Sequence, residues 1–234
     1  MTQLTIVYSA LLGRPGPRRF RNLRATLTQI PRCFCVAVRH RLRKFDDAKM
    51  ARMSTSLVSY ADLQQMPDDG RQYELYDGEV RVVPSPTNRH QFVLLNLVAV
   101  LMEYEQRYGG RLLFAPSDVV FTQYNVVQPD LLYFSEERRH LVRLDTPTDA
   151  APDVTVEVIS PGTSTHDRVR KQATYARFGV NEYWIVDPFE ETIEIFSLDG
   201  TGYRPAQVTA RAGVAVSATM PGLRVPAARI FDLS

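Results

Sequence analysis

The chain of 234 residues is long enough for one good-sized domain with an appendage, and its 44% apolar and 23% charged residues exclude a wholly disordered, collagen-like or disulfide-scaffold protein. The net charge of +2 joins two unlike pieces: residues 1–52 hold twelve Lys/Arg against Asp46 and Asp47, a segment of +10, so residues 53–234 carry −8. No uncharged apolar run reaches the ~18 to 20 residues of a membrane-spanning helix, and the uncharged residues 1–13 precede the arginines, the reverse of a secretory signal.

Residues 1–52 form a basic arm without a sustained apolar period, and 53–234 form the domain. The arm reads as a nucleic-acid-binding tail, a targeting segment, or sequence upstream of the true start codon; the Arg-rich composition and the internal Met50 and Met53 favour the last. It is expected to be disordered if present. Cys33 and Cys35 sit two apart with no zinc-ligand set around them, which suits a reducing cytoplasm.

From Ser59 the pattern is regular. Ser59 caps a short helix over 60–66, which Pro67-Asp68-Asp69-Gly70 breaks. Tyr73-Glu74-Leu75-Tyr76 and Glu79-Val80-Arg81-Val82-Val83 flank Asp77-Gly78 as a β-hairpin, because Asp-Gly supplies the positive φ of a tight turn. A long helix spans 88–108, with Phe92, Leu95, Val98, Ala99 and Met102 at helical spacing, and this stripe is expected to lie against a sheet. Strands follow at 112–115, 119–122 and 130–134, then a polar loop over 136–149, a strand over 154–160 and a helix over 164–178 closed by Gly179. Glu182-Tyr183-Trp184-Ile185-Val186-Asp187 is a strand ended by Pro188, and 193–198 with 203–208 flank Asp199-Gly200 as a last hairpin. This order predicts an α/β sandwich with a mixed sheet.

Alternation along Val154-Thr155-Val156-Glu157-Val158-Ile159-Ser160 puts the valines on one face and Thr155, Glu157 and Ile159 on the other. A carboxylate in the middle of an apolar strand needs a partner, either a basic side chain or a metal ion. Asp130 heads another apolar strand that can pair alongside. Asp153 lies four residues from Glu157 on one strand, about 13 Å away, too far to share a metal ion, and reads as a turn or loop edge. Asp167, Lys171 and Tyr175 share one helix face; Val169, Ala173 and Ala176 form an opposing apolar stripe, so either face can meet the sheet.

These residues, with Pro129 before Asp130, Ser160-Pro161, the run Gly179-Val180-Asn181-Glu182-Tyr183-Trp184-Ile185-Val186-Asp187-Pro188, and upstream Tyr73-Glu74-Leu75-Tyr76-Asp77-Gly78 and His90, resemble the Uma-two family of endonucleases in the restriction-endonuclease-like, PD-(D/E)XK, superfamily. The resemblance covers about residues 56–232. It implies a restriction-endonuclease-like core, a mixed central sheet flanked by helices, with an N-terminal and a C-terminal hairpin. In the superfamily a lysine stands two residues after the acid; here that position is Ile159, and the resemblance implies that the lysine has moved to Lys171.

The resemblance further implies that Asp130, Glu157 and the Val158 carbonyl bind Mg²⁺ or Mn²⁺, and that Lys171 positions or helps deprotonate the attacking water. Glu74 would add a further carboxylate, unless it is only a charge on a hairpin edge. His90 is a possible phosphate contact or a cap, and Arg168, Arg170, Lys171 and Arg177 could make a local basic patch. The implied activity is metal-dependent endonucleolytic hydrolysis of nucleic acid, most plausibly DNA, by a possible homodimer in the cytoplasm. The rival readings are an inactive nucleic-acid- or protein-binding module on the same fold, and a structural dimer in which acids and lysine form buried salt bridges. No nucleophile elbow, Walker loop or dinucleotide fingerprint is present.

Overall fold

The computed structural model describes residues 57–160 and 165–234; the basic arm and the boundary at residue 53 lie outside the described residues. Helix α1 (Tyr60–Gln64) is short and carries a capping box, in which Ser59 and Asp62 bond to each other's backbone N–H groups. The hairpin of β1 (Gln72–Tyr76) and β2 (Glu79–Val83) turns on Asp77 and Gly78, with φ of 49° and 78°, the paired left-handed geometry of a two-residue loop. A Cβ on Gly78 would stand 2.8 Å from that of Leu57. The hairpin pairs with β5 (Asn125–Val127), which pairs with β4 (Val119–Thr122), completing a four-stranded sheet.

The central sheet runs β10 (Gly202–Tyr203), β9 (Thr192–Asp199), β8 (Glu182–Asp187), β7 (Val154–Val158), β6 (Leu131–Phe134), β3 (Arg111–Phe114), with β11 (Gln207–Ala210) also on β9. Among the described strands of this sheet only β7 and β8 are parallel, and the connection between them carries α3 (Thr165–Arg177), as parallel neighbours require. β7 is buried along its whole length. Val154, Val156 and Val158 pack under α2 (Asn88–Tyr108) on one face, and Tyr175 of α3 packs with Tyr183 and Ile185 on the other.

The expected contact stripe of α2 is reversed. Val93, Leu94, Leu97, Val100, Leu101 and Tyr104 face the sheet, whereas Phe92, Leu95 and Met102 are 55%, 61% and 44% exposed. Both faces are apolar, so spacing alone could not choose between them. The core around α2 is completed by β12 (Val214–Val216), β13 (Arg224–Pro226) and α4 (Ala227–Ile230), short elements absent from the sequence reading. Asn96 of α2 donates to the carbonyls of Ile230 and Asp232 at 3.0 and 2.8 Å. The last predicted hairpin is interrupted: β10 and β11 pair with successive parts of β9, and Arg204 bridges the gap through Ser197. Strand β6 begins at Leu131, leaving Asp130 at its rim. Among the described residues no helix is long and apolar enough to cross a membrane.

Glu182 is fully buried and fastens the C-terminal segment. One oxygen accepts from the amides of Ala218 and Thr219 at 2.7 and 2.9 Å, the other from Ser217 Oγ and Trp184 Nε1 at 2.7 and 2.9 Å. Glu182→Ala, which removes the acceptor of four donors, two of them buried, is expected to lower the unfolding free energy by about 3 kcal/mol or more in urea denaturation.

Candidate active site

Strand alternation places Glu157 on the α3 face of β7, opposite Ile185 of β8. Its Oε2 accepts from Lys171 Nζ at 2.8 Å and its Oε1 from Tyr175 OH at 2.7 Å. Lys171 and Tyr175 are one helical turn apart, so a single face of α3 reaches both oxygens. That settles the helix orientation: the Lys171 face is inward, while Val169 and Ala173 are exposed. The side chain of Asp167, which the spacing puts on the Lys171 face, lies outside the described residues.

Glu74 joins from β1 and is buried, not a hairpin-edge charge. Its Oε1 is 3.4 Å from Lys171 Nζ and accepts from the Gln128 amide at 2.9 Å, and its Oε2 accepts from Tyr76 OH at 3.0 Å. Tyr76 was findable, since residues 74 and 76 share a strand face. Gln128 stands in irregular chain and left no sequence signal.

Asp130 occupies the rim between β6 and β7. Its Oδ2 accepts from the Val158 amide at 2.7 Å and lies 3.1 Å from His90 Nε2. A strand residue's N–H and C=O leave by the same edge, so the Val158 carbonyl faces the same gap. His90 is buried and turned to Asp130, away from the solvent where a phosphate contact was expected. Asp153 stands at the expected loop edge, in the bend before β7, and is buried there, accepting from the Ser135 amide, Arg138 and Asn181 at 2.8, 2.5 and 3.1 Å.

The expected basic patch is largely neutralised by carboxylates. Arg168 pairs with Glu194, Lys171 with Glu157 and Glu74, and Arg177 with Asp77 at 2.9 Å. Arg170 lies over the Tyr76 ring, 5.5 Å from its centroid.

Two carboxylates, Glu74 and Glu157, therefore share one ammonium, and Asp130 acts on Glu157 from the neighbouring rim. Burial pushes the Glu157 carboxyl up to about 7, with Asp130 and Glu74 adding to the rise against the lowering pull of Lys171. Burial would lower Lys171, but the charges of Glu157 and Glu74 outweigh it and hold the amine well above its ordinary value. Burial, then the Glu157 charge, raises Tyr175, so its hydroxyl stays a donor.

Among the described residues no group of three or more His, Cys, Asp and Glu side chains is arranged to hold a metal ion. Two carboxylates and a carbonyl nevertheless suit a hard cation such as Mg²⁺, which keeps several waters and takes only one or two protein carboxylates. The excess negative charge favours the same occupant. His90 Nδ1, Gln128 Oε1 and Arg170 Nη1 are buried without a hydrogen-bond partner, leaving polar valences for water or a ligand.

Lys171→Met, which leaves Glu157 and Glu74 uncompensated, is expected to cost about 3 to 5 kcal/mol. The double variant Lys171→Met/Glu157→Gln should recover more than half of that in the same urea titration.

The sequence profile of the Uma2 (Uma-two) family, described as "Putative restriction endonuclease", matches residues 60–228. None of the curated proteins matches the chain in sequence. In structure the chain is similar to a putative nuclease belonging to DUF820 from Anabaena variabilis ATCC 29413, with a TM-score of 0.62 and 18% identity over 74% of this chain and 97% of that one. At that identity the likeness is one of fold. A profile match across most of the domain, together with a mixed sheet that carries the matched residues, makes this chain a member of the Uma2 family of putative restriction endonucleases.

Proposed function

We propose that the protein is a divalent-metal-dependent phosphodiesterase that cuts nucleic acid, DNA in the first instance, at the cluster of Asp130, Glu157 and Lys171. The observation that carries this reading is the inward Lys171, bonded to Glu157 although seated on a helix fourteen residues further along the chain. Its ammonium stands beside the acid, as required of a lysine that replaces the apolar Ile159 position. Family membership and the nuclease-like fold support the same chemistry.

Asp130, Glu157 and the Val158 carbonyl would hold Mg²⁺ or Mn²⁺, which supplies Lewis-acid polarisation of the scissile phosphate and a more acidic bound water. Each remaining role belongs to the chain itself. Lys171, kept cationic by Glu157 and Glu74, donates hydrogen bonds and offsets charge developing on the phosphoryl oxygens, rather than acting as a base. Tyr175 fixes the Glu157 carboxylate through Oε1, and His90 with the Val158 amide fixes Asp130 through Oδ2. Glu74 restrains the Lys171 amine from the opposite side, steadied by Tyr76 and the Gln128 amide.

The test is nicking of supercoiled plasmid by the full chain with Mg²⁺ or Mn²⁺. Asp130→Asn, Glu157→Gln and Lys171→Ala should each lower the rate by about a thousandfold, and Tyr175→Phe by about tenfold. Asp130→Asn and Glu157→Gln should also abolish the heat of metal binding in calorimetric titration. Nucleic-acid binding without cleavage by the unaltered chain under any of these metals would support the inactive module instead.

A further inference from the structure

Among the described residues three phenylalanines are exposed, and two of them stand on the sheet rim that carries Asp130. Phe114, 57% exposed, is the last residue of β3 and pairs with Leu131, the neighbour of Asp130. The next amide, that of Ala115, donates to the Asp130 carbonyl at 3.0 Å. Phe189, 52% exposed, sits in the turn leaving β8, its amide held by Asp187 Oδ1 at 2.8 Å. The Arg89 guanidinium lies over its ring, 5.2 Å from the centroid, and donates to the Pro188 carbonyl at 3.4 Å. Arg89 directly precedes His90, which touches Asp130.

The strand order β8-β7-β6-β3 spaces the two strand ends about 14 Å apart along this rim, with β7 and β6 between them; Phe114 pairs with Leu131, itself paired with Val156, and so lies on the α2 face, the side from which Arg89 and His90 approach. A phenyl ring has no hydrogen bond to offer a polyanion, and leaving it half in water forgoes burial. Its use beside a phosphodiester site is to stack on a base. Charge argues in the same direction. Residues 53–234 carry −8, and the arginine and lysine of α3 nearest the cluster are paired with carboxylates, so the domain lacks the broad phosphate footprint of a duplex binder.

We propose that Phe114 and Phe189, the latter backed by Arg89, form a base-stacking platform on the α2 side of the rim that carries Asp130, next to the candidate active site. The site therefore takes nucleic acid whose nucleotides are unpaired next to the scissile phosphate, single strands or opened ends, in preference to continuous duplex. This rests on the phosphodiesterase reading for its chemistry, while the stacking itself is a binding property that can be measured without turnover.

The experiment uses the full chain carrying Glu157→Gln at about 0.3 M salt, where attraction between basic residues and phosphates is screened. The probe is an oligonucleotide with 2-aminopurine, offered as a single strand and as the stem of a closed hairpin duplex. The single strand should bind at least about tenfold more tightly, with quenching of the 2-aminopurine fluorescence. Phe114→Ala and Phe189→Ala should each weaken it about tenfold, and Leu144→Ala, at a position 94% exposed, should leave it unchanged. In the active chain the same phenylalanine variants should raise KM on single strands with kcat retained. Equal affinity for the duplex, absence of quenching, or an unchanged dissociation constant in the double phenylalanine variant would overturn the platform. Quenching by a chain that cleaves nothing would leave the platform standing and remove the hydrolase; equal cleavage of covalently closed duplex and single strand would do the reverse.

Discussion

A carboxylate in the middle of a strand that is buried on both faces governs the architecture around it. Glu157 interrupts the otherwise apolar β7, and in that setting an ionised oxygen without a partner costs several kcal/mol. Both of its oxygens are satisfied from one turn of α3, so that helix must pack with Lys171 and Tyr175 inward and its alanines outward. The same ammonium then draws in Glu74 from the four-stranded sheet. One buried charge thus ties together the central sheet, the crossover helix and the upstream hairpin.

The arrangement does not maximise stability. Two buried acids share one amine, with a third acid, Asp130, at the adjoining rim, and apolar side chains of the same volume would hold the core together as well or better. Strain of this electrostatic kind is expected where a sequence keeps groups for chemistry at the expense of packing. Glu182 and Asp153 make a useful contrast. They are comparably buried carboxylates, but each is surrounded by donors, and neither faces another acid among those contacts.

Much of the site could be read from periodicity. Alternation isolates Glu157 on its strand, four-residue spacing pairs Lys171 with Tyr175, and Asp-Gly fixes the hairpin that delivers Glu74. What stayed hidden depends on tertiary choice. The two faces of α2 are both apolar, so the buried stripe was misassigned, and α3 offered two faces with no local reason to prefer either. Gln128 acts through its backbone amide, to which side-chain identity is blind, and the short strands β5, β12 and β13 form because neighbouring elements pair with them rather than through their own three residues. The burial of Asp153 at its loop edge was not legible because its partners, Arg138 and Asn181, come from other loops.

The bonds from Asn96 to the carbonyls of Ile230 and Asp232 span 134 and 136 positions, and the core beneath α2 includes Met220, Leu223, Val225 and Phe231. During synthesis part of the inner face of α2 therefore stays open until those residues have left the ribosome. Since α2 also presents His90 to Asp130, the rim that carries Asp130 gains its full backing only at that late stage. Contacts between positions so far apart close late in folding, and the apolar surface they cover is open to association until then.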